Sequence, residues 1–233
     1  MHKRIGILGG MSPESTVAYY QYITRSYVLE YGDHAYPEVL IFSVSFEPYI
    51  TWPKAGQWDL VARGLSDAAK TLEAAGADII LIATNTMHMV FDEVQANVSV
   101  PMINLIESVA KSIRAEGITT VGLLGTRFTM ELPFYRDYLS QYGISVLVPD
   151  AEGREYVNTI IYEELVLGTI SPQAQDGYKE IIADLQQRGA EGVILGCTEI
   201  PMLIGKADVD LPLFDTTTIH AQAALDAALS TKL

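Results

Sequence analysis

The chain has a single cysteine, Cys197, which excludes an internal disulfide and any multi-thiolate metal site. Its four histidines, His2, His34, His88 and His220, are too dispersed to suggest a metal-ligand pattern, and no metal is expected. Basic residues are scarce: 15 Lys and Arg stand against 29 Asp and Glu, a formal net charge of −14. Such a surface repels phosphate backbones and anionic lipids, which argues against nucleic-acid or membrane-surface partners. No uncharged apolar run reaches the ~18 residues that a membrane span needs. The apolar stretch from Ile5 to Met11 is too short for a secretory h-region, so it reads as a strand, and the expected compartment is cytoplasmic. The turn from Gly9 to Thr16 lacks G-x-G-x-x-G, and neither it nor the turn from Gly125 to Thr129 has Gly-Lys-Ser/Thr, which excludes the common nucleotide phosphate loops.

The chain does hold an alternation of apolar strands and amphipathic helices, the pattern of an α/β protein with parallel sheets. Strands are expected at Ile5 to Leu8, Val39 to Val44, Asp78 to Ala83, Val121 to Leu124, Ser145 to Val148 and Gly192 to Leu195. Ser12 with Pro13 opens one helix, expected to run to about Val28, and Ser171 with Pro172 opens another that ends at Gly189. A helix from about Trp58 stops before Gly76, and one from Thr129 to about Tyr142 is closed by Gly143.

The two halves also match each other in order. Gly76-Ala77-Asp78-Ile79-Ile80-Leu81-Ile82-Ala83-Thr84-Asn85-Thr86 aligns without a gap on Gly189-Ala190-Glu191-Gly192-Val193-Ile194-Leu195-Gly196-Cys197-Thr198-Glu199, an offset of 113 residues. Val100-Pro101-Met102-Ile103-Asn104 aligns on Leu211-Pro212-Leu213-Phe214-Asp215, and Ile7-Leu8-Gly9 on Leu123-Leu124-Gly125. Nearly constant offsets suggest a duplicated unit. The expected architecture is two similar lobes, each a mainly parallel sheet flanked by helices, related by a pseudo-twofold axis with the active site between them. The approximate spans are 1–98 plus 212–233 for one lobe and 99–211 for the other.

Ligands of open parallel sheets bind beyond the carboxyl ends of the strands. Thr84 and Cys197 occupy equivalent places there, each followed by an apparent helix start whose N–H groups suit carboxylates and lower a thiol pKa. Ser12, Thr126 and Thr129 add hydroxyl donors from the turns after the first strand of each half. His220 and Asp215 follow Cys197 closely enough to assist a thiol, and His88 stands one helical turn after Thr84, where it could also serve as a cap.

Five motifs in order now resemble one family across essentially the whole chain: Gly9-Gly10-Met11-Ser12-Pro13-Glu14-Ser15-Thr16, Thr84-Asn85-Thr86-Met87-His88, Leu124-Gly125-Thr126-Arg127-Phe128-Thr129-Met130, Gly196-Cys197-Thr198-Glu199-Ile200 and Asp215-Thr216-Thr217-Thr218-Ile219-His220. They are similar to the pyridoxal-phosphate-independent aspartate/glutamate racemases. The resemblance implies an amino-acid racemase acting on a small-molecule substrate, usually a homodimer, with no cofactor. It implies Cys197 and Thr84 as the catalytic pair and Met11, Ser12, Asn85, Thr86, Thr126, Thr129, Tyr156, Thr198 and Glu199 as substrate contacts. His88, His220 and Asp215 would support them.

Two departures from the family pattern qualify that expectation. Members generally use cysteine at both catalytic places, whereas Thr84 stands at the first; its hydroxyl ionises far less readily than a thiol. Since the second-lobe cysteine commonly deprotonates the L enantiomer, reaction from the L side is expected to survive through Cys197 and reaction from the D side to be weak. The basic residue that often receives an acidic side chain is replaced by Tyr156, and the other contributing loop reads Thr51-Trp52-Pro53-Lys54. Aspartate or glutamate is expected, with Lys54, Arg127 or Arg154 as substitute partners. A one-cysteine lyase like the arylmalonate decarboxylases and a catalytically decayed amino-acid-binding protein are the alternatives.

Overall fold

The structure, a computed structural model, describes residues 2–230. The first part of the chain runs β1 (Ile5–Gly9), α1 (Pro13–Tyr31), β2 (Val39–Ser43), α2 (Phe46–Lys54), α3 (Trp58–Ala74), β3 (Ile79–Ile82), a 3-10 turn (Thr86–Val90), α4 (Phe91–Gln95), β4 (Met102–Ile103) and α5 (Leu105–Ala115). The second runs β5 (Thr120–Gly125), α6 (Arg127–Glu131), α7 (Pro133–Ser140), β6 (Ser145–Leu147), α8 (Ala151–Glu163), a 3-10 turn (Leu165–Leu167), α9 (Pro172–Gln187), β7 (Gly192–Gly196), α10 (Ile200–Leu203) and β8 (Leu213–Asp215). The last element is α11 (Thr216–Leu229). None of the described helices is long and apolar enough to cross a membrane.

Two compact units result: residues up to Leu105 together with those from Thr217 onward, and Ile106–Thr216. The divisions lie beyond positions 98 and 211 because the short strand at each crossover completes the sheet it follows. Met102 and Ile103 pair with Ile80 and Leu81, and Leu213 to Asp215 pair with Val193 to Leu195.

Each unit has a four-stranded parallel sheet, of order β2-β1-β3-β4 in the first and β6-β5-β7-β8 in the second. The ladders reproduce the internal repeat residue for residue. Leu8 pairs with Ile82 as Leu124 pairs with Leu195, and Ile80 with Met102 as Val193 with Leu213. Gly76 and Gly189, 113 residues apart, both take left-handed φ values (96° and 101°) between a helix and the third strand of their unit, a conformation a Cβ would strain.

The central strands β1, β3 and β7 are wholly buried, which is why they read as continuous apolar runs and not as alternation. In the first unit Leu8, Ile80 and Ile82 pack with Val61, Leu65, Ala69 and Leu72 of α3. On the opposite face Ile5, Ile7, Ile79 and Leu81 pack with Tyr19 and Ile23 of α1 and Ala221, Ala224 and Leu225 of α11. In the second unit Leu124, Val193 and Leu195 pack with Val157, Ile161, Tyr178 and Ile182 of α8 and α9.

Local boundaries follow side-chain chemistry. Ser12 caps α1 by accepting from the Ser15 N–H, and Gly32 closes the helix three residues later than expected. The single helix expected from Thr129 to Tyr142 is two. Thr126 caps α6 upstream of that start, and the chain breaks at Leu132 because Pro133 has no N–H to continue the ladder and forces the residue before it out of the helical region.

Candidate active site

In the first unit Thr84 follows β3 directly, and both of its peptide groups are held. Its N–H donates to the Ile82 carbonyl at 2.9 Å, and its own carbonyl accepts from Nδ1 of His88 at 2.9 Å. The neighbouring turn after β1 is locked by Thr16, whose hydroxyl donates to the Ser12 carbonyl and accepts from the Gly10 N–H. Ser15 ties the turn to the strand end by donating to the Ala83 carbonyl at 2.7 Å. Ser12, Met11, Asn85 and His88 are buried there, while Thr84 and Thr86 are partly open. Gly10 is required: at φ 93°, any Cβ would lie 2.3 Å from the Val44 carbonyl oxygen.

In the second unit Cys197 occupies the same place after β7. Its Sγ–H donates to Oε2 of Glu199 at 2.9 Å, and the Thr198 hydroxyl donates to the same oxygen at 2.7 Å. Glu199 is only 6% exposed. Thr126 and Thr129 bond to each other in the turn after β5, and Thr129 lies against Gly125 and Gly196, where the absence of side chains makes room for it. Asp215 pairs with Leu195 on the adjacent strand, and the Thr216 hydroxyl donates to the Leu195 carbonyl.

The thiol is not activated by a helix. Only the four-residue α10 follows it, and burial together with the Glu199 charge pushes the Cys197 pKa well above its ordinary value; N–H groups of Glu199 and Thr198 oppose that shift only in part. Glu199 is therefore the thiol's direct partner, whereas the family resemblance had implied it only as a substrate contact. Tyr162 of α8 is a residue the sequence reading passed over: burial first, and then the Cys197 and Glu199 charges, raise its pKa, so it stands near them.

Other sequence candidates are engaged elsewhere. His220 packs within the first unit, where its Nδ1 bonds the Tyr19 hydroxyl and its Nε2 the Ile103 carbonyl, so both ring nitrogens are already engaged. Tyr156 donates to the Gln173 carbonyl of α9 and packs on Gly177, on a different side of α8 from Tyr162. Arg127 pairs with Glu155, and Arg154 with Glu131 and the Pro149 carbonyl. Lys54 is exposed in the last turn of α2. No group of acidic, histidine or cysteine side chains among the described residues could hold a metal.

Duplicated four-stranded parallel sheets, each with a candidate reactive residue directly after its third strand, are the arrangement expected of the racemase class. The family model described as Asp/Glu/Hydantoin racemase matches residues 8–224, and the chain belongs to that family of isomerases. It is 27% identical over 229 residues to the broad-specificity amino-acid racemase of Bacillus subtilis (strain 168), covering 97% of this chain and 98% of that one. A Yersinia pestis crystal structure provisionally described as an Asp/Glu racemase superposes with a TM-score of 0.92 at 44% identity, over 98% of this chain and 100% of the other. The structure of an aspartate racemase homologue from Pyrococcus horikoshii OT3 gives 0.85 at 40% identity, over 98% and 99%.

Proposed function

We propose that this chain is a cytoplasmic, cofactor-independent amino-acid racemase in which Cys197 serves one face of the substrate Cα and Thr84 the other, with aspartate or glutamate as substrate and a bias toward the L enantiomer. The observation that carries this reading is the equivalence of Thr84 and Cys197 at the ends of β3 and β7, each beside a turn rich in hydroxyl and N–H donors. Racemisation needs an acid and a base on opposite faces of Cα, and donors for the α-carboxylate as enolate-like charge develops.

Glu199 explains how a buried thiol with a raised pKa can still act as a base. Ionising the thiol to solvent would leave two negative charges side by side. Passing its proton along the 2.9 Å bond to Glu199 keeps the net charge of the pair at one, so burial does not oppose the step. The thiolate then takes the Cα proton, and the carbanion is protonated on its other face from the Thr84 side. After turnover Glu199 releases its proton to solvent and Thr84 takes one up from solvent, so thiol, carboxylate and hydroxyl all return to their starting states. Thr84 is a weak base in the reverse direction, hence the L bias. The homodimer expected of the family completes the proposal, and sedimentation equilibrium tests it.

The activity is tested by incubating L and D amino acids singly in deuterated water and reading Cα deuterium and handedness by mass spectrometry. Deuterium entering L-aspartate or L-glutamate faster than the D forms supports the reading. Equal rates from both enantiomers overturn the bias, and no exchange with any amino acid overturns the activity. Release of CO₂ from a malonate without amino-acid exchange would assign the lyase alternative.

A further inference from the structure

Two buried histidines lie behind the Thr84 half-site, outside the proton-transfer steps above. Leu105 donates its backbone N–H to Nε2 of His88 at 3.1 Å, so that nitrogen carries no proton, and Nδ1 must donate to the Thr84 carbonyl. One imidazole thus links the catalytic threonine to the last residue of the first unit before the chain crosses to the second. The ring stacks on Phe91 with centroids 5.3 Å apart and an 8° interplanar angle, and meets the His220 ring edge-on at 5.6 Å. His220 donates from Nε2 to the Ile103 carbonyl at 2.8 Å and accepts from the Tyr19 hydroxyl at 2.9 Å. The two rings therefore hold both residues flanking Asn104, as well as the peptide of Thr84.

The repeat shows that this device serves one half only. The position equivalent to His88, 113 residues on, is Pro201, and the Cys197 carbonyl accepts instead from the Ile200 N–H at 3.2 Å. A thiol keeps useful reactivity over a range of approach, whereas a hydroxyl, far from ionising at neutral pH, must be aimed closely at Cα.

We infer that His88 is a positioning residue for the Thr84 side of the reaction, fixing the Thr84 peptide plane and hence the direction of its hydroxyl, with His220 and Tyr19 holding the imidazole in place. His88 touches neither substrate nor reacting atoms; it acts through Thr84. The inference rests on the racemase reading and extends it by making the two half-sites separately adjustable.

The test is the partition of L substrate in deuterated water between exchange with retention, which needs only Cys197, and inversion, which needs the Thr84 side. Asparagine places an amide donor near the Nδ1 position, and glutamine places an acceptor near Nε2. His88→Gln is expected to lower the inversion-to-exchange ratio about tenfold or more, and His88→Asn to keep it within about threefold of the parent. A purely structural role would lower both products together and leave their ratio unchanged, and that result overturns the inference. If His88→Gln does not fold, ¹⁵N NMR of the intact protein decides: a neutral Nδ1–H tautomer for His88 upholds the inference, and an Nε2–H or charged ring overturns it. Absence of exchange in the parent protein removes the racemase reading itself, an outcome distinct from an unchanged partition.

Discussion

Glu199 and Gly10 show how single residues define this site. Glu199 carries two hydrogen bonds on one carboxylate oxygen, one of them from the only thiol in the chain. Glu199→Gln keeps the shape but cannot take the thiol proton. Kcat for Cα exchange from the L enantiomer is expected to fall by about 10²-fold or more, with KM changed far less, as a group acting in proton transfer requires. A matching rise in KM with little loss of kcat would make Glu199 a substrate contact instead. Gly10→Ala sets a Cβ against the Val44 backbone at a positive φ, where no rotamer change relieves the clash. Chemical denaturation should show a loss of about 2 kcal/mol or more. Neither role was legible in sequence. The i, i+2 spacing of Cys197 and Glu199 would part them on a helix, and only the turn between β7 and α10 turns one side chain onto the other.

At the scale of elements, strands and repeat were readable because buried parallel strands keep unbroken apolar runs and because duplication preserved their register. What escaped was any pairing across long sequence separations. His220 appeared to follow Cys197, yet α11 packs on β1 and β3, where the partners of His220 lie 117 and 201 residues away. Tyr156 and Tyr162 are six residues apart on α8, about 120° around the helix, so they meet different neighbours, and which one faces Glu199 is not readable from sequence position alone. Pro133 lies inside the span expected as one helix, and the break it imposes between α6 and α7 went unread. The histidine pair gives this element-level packing a pH signature. Burial lowers the His88 pKa to about 4 and, with the nearby His88 charge, that of His220 to about 3. Above pH ~6.5 both are neutral in folded and unfolded chains alike, and they add no pH dependence. Below it the unfolded chain binds protons that the fold refuses, so stability falls with pH, by up to ~1.4 kcal/mol per pH unit for each ring, until about pH 4 for His88 and pH 3 for His220. Denaturation between pH 7 and 4 should show that decline, and His220→Gln should flatten it. An acid slope unchanged in the variant would place the titrating group elsewhere.

For the whole molecule, a net charge of −14 sets the conditions under which an anionic substrate arrives. For the proposed acidic substrate, the general field opposes its approach and local donors in the turns would have to attract it. Raising ionic strength should therefore increase kcat/KM for an acidic amino acid, by ~2-fold, and leave kcat nearly constant. A fall would mean that a cation such as Lys54 draws the substrate in. The account as a whole depends on Thr84 and Cys197 being two ends of one proton path. The most direct measurement is Cα deuterium incorporation from L and D substrate in the parent protein, Thr84→Cys and Cys197→Ala. Exchange faster from L in the parent, a strengthened D-side reaction in Thr84→Cys, and no exchange from either enantiomer in Cys197→Ala are expected. Undiminished exchange in Cys197→Ala, or equal rates from both enantiomers in the parent, would contradict it.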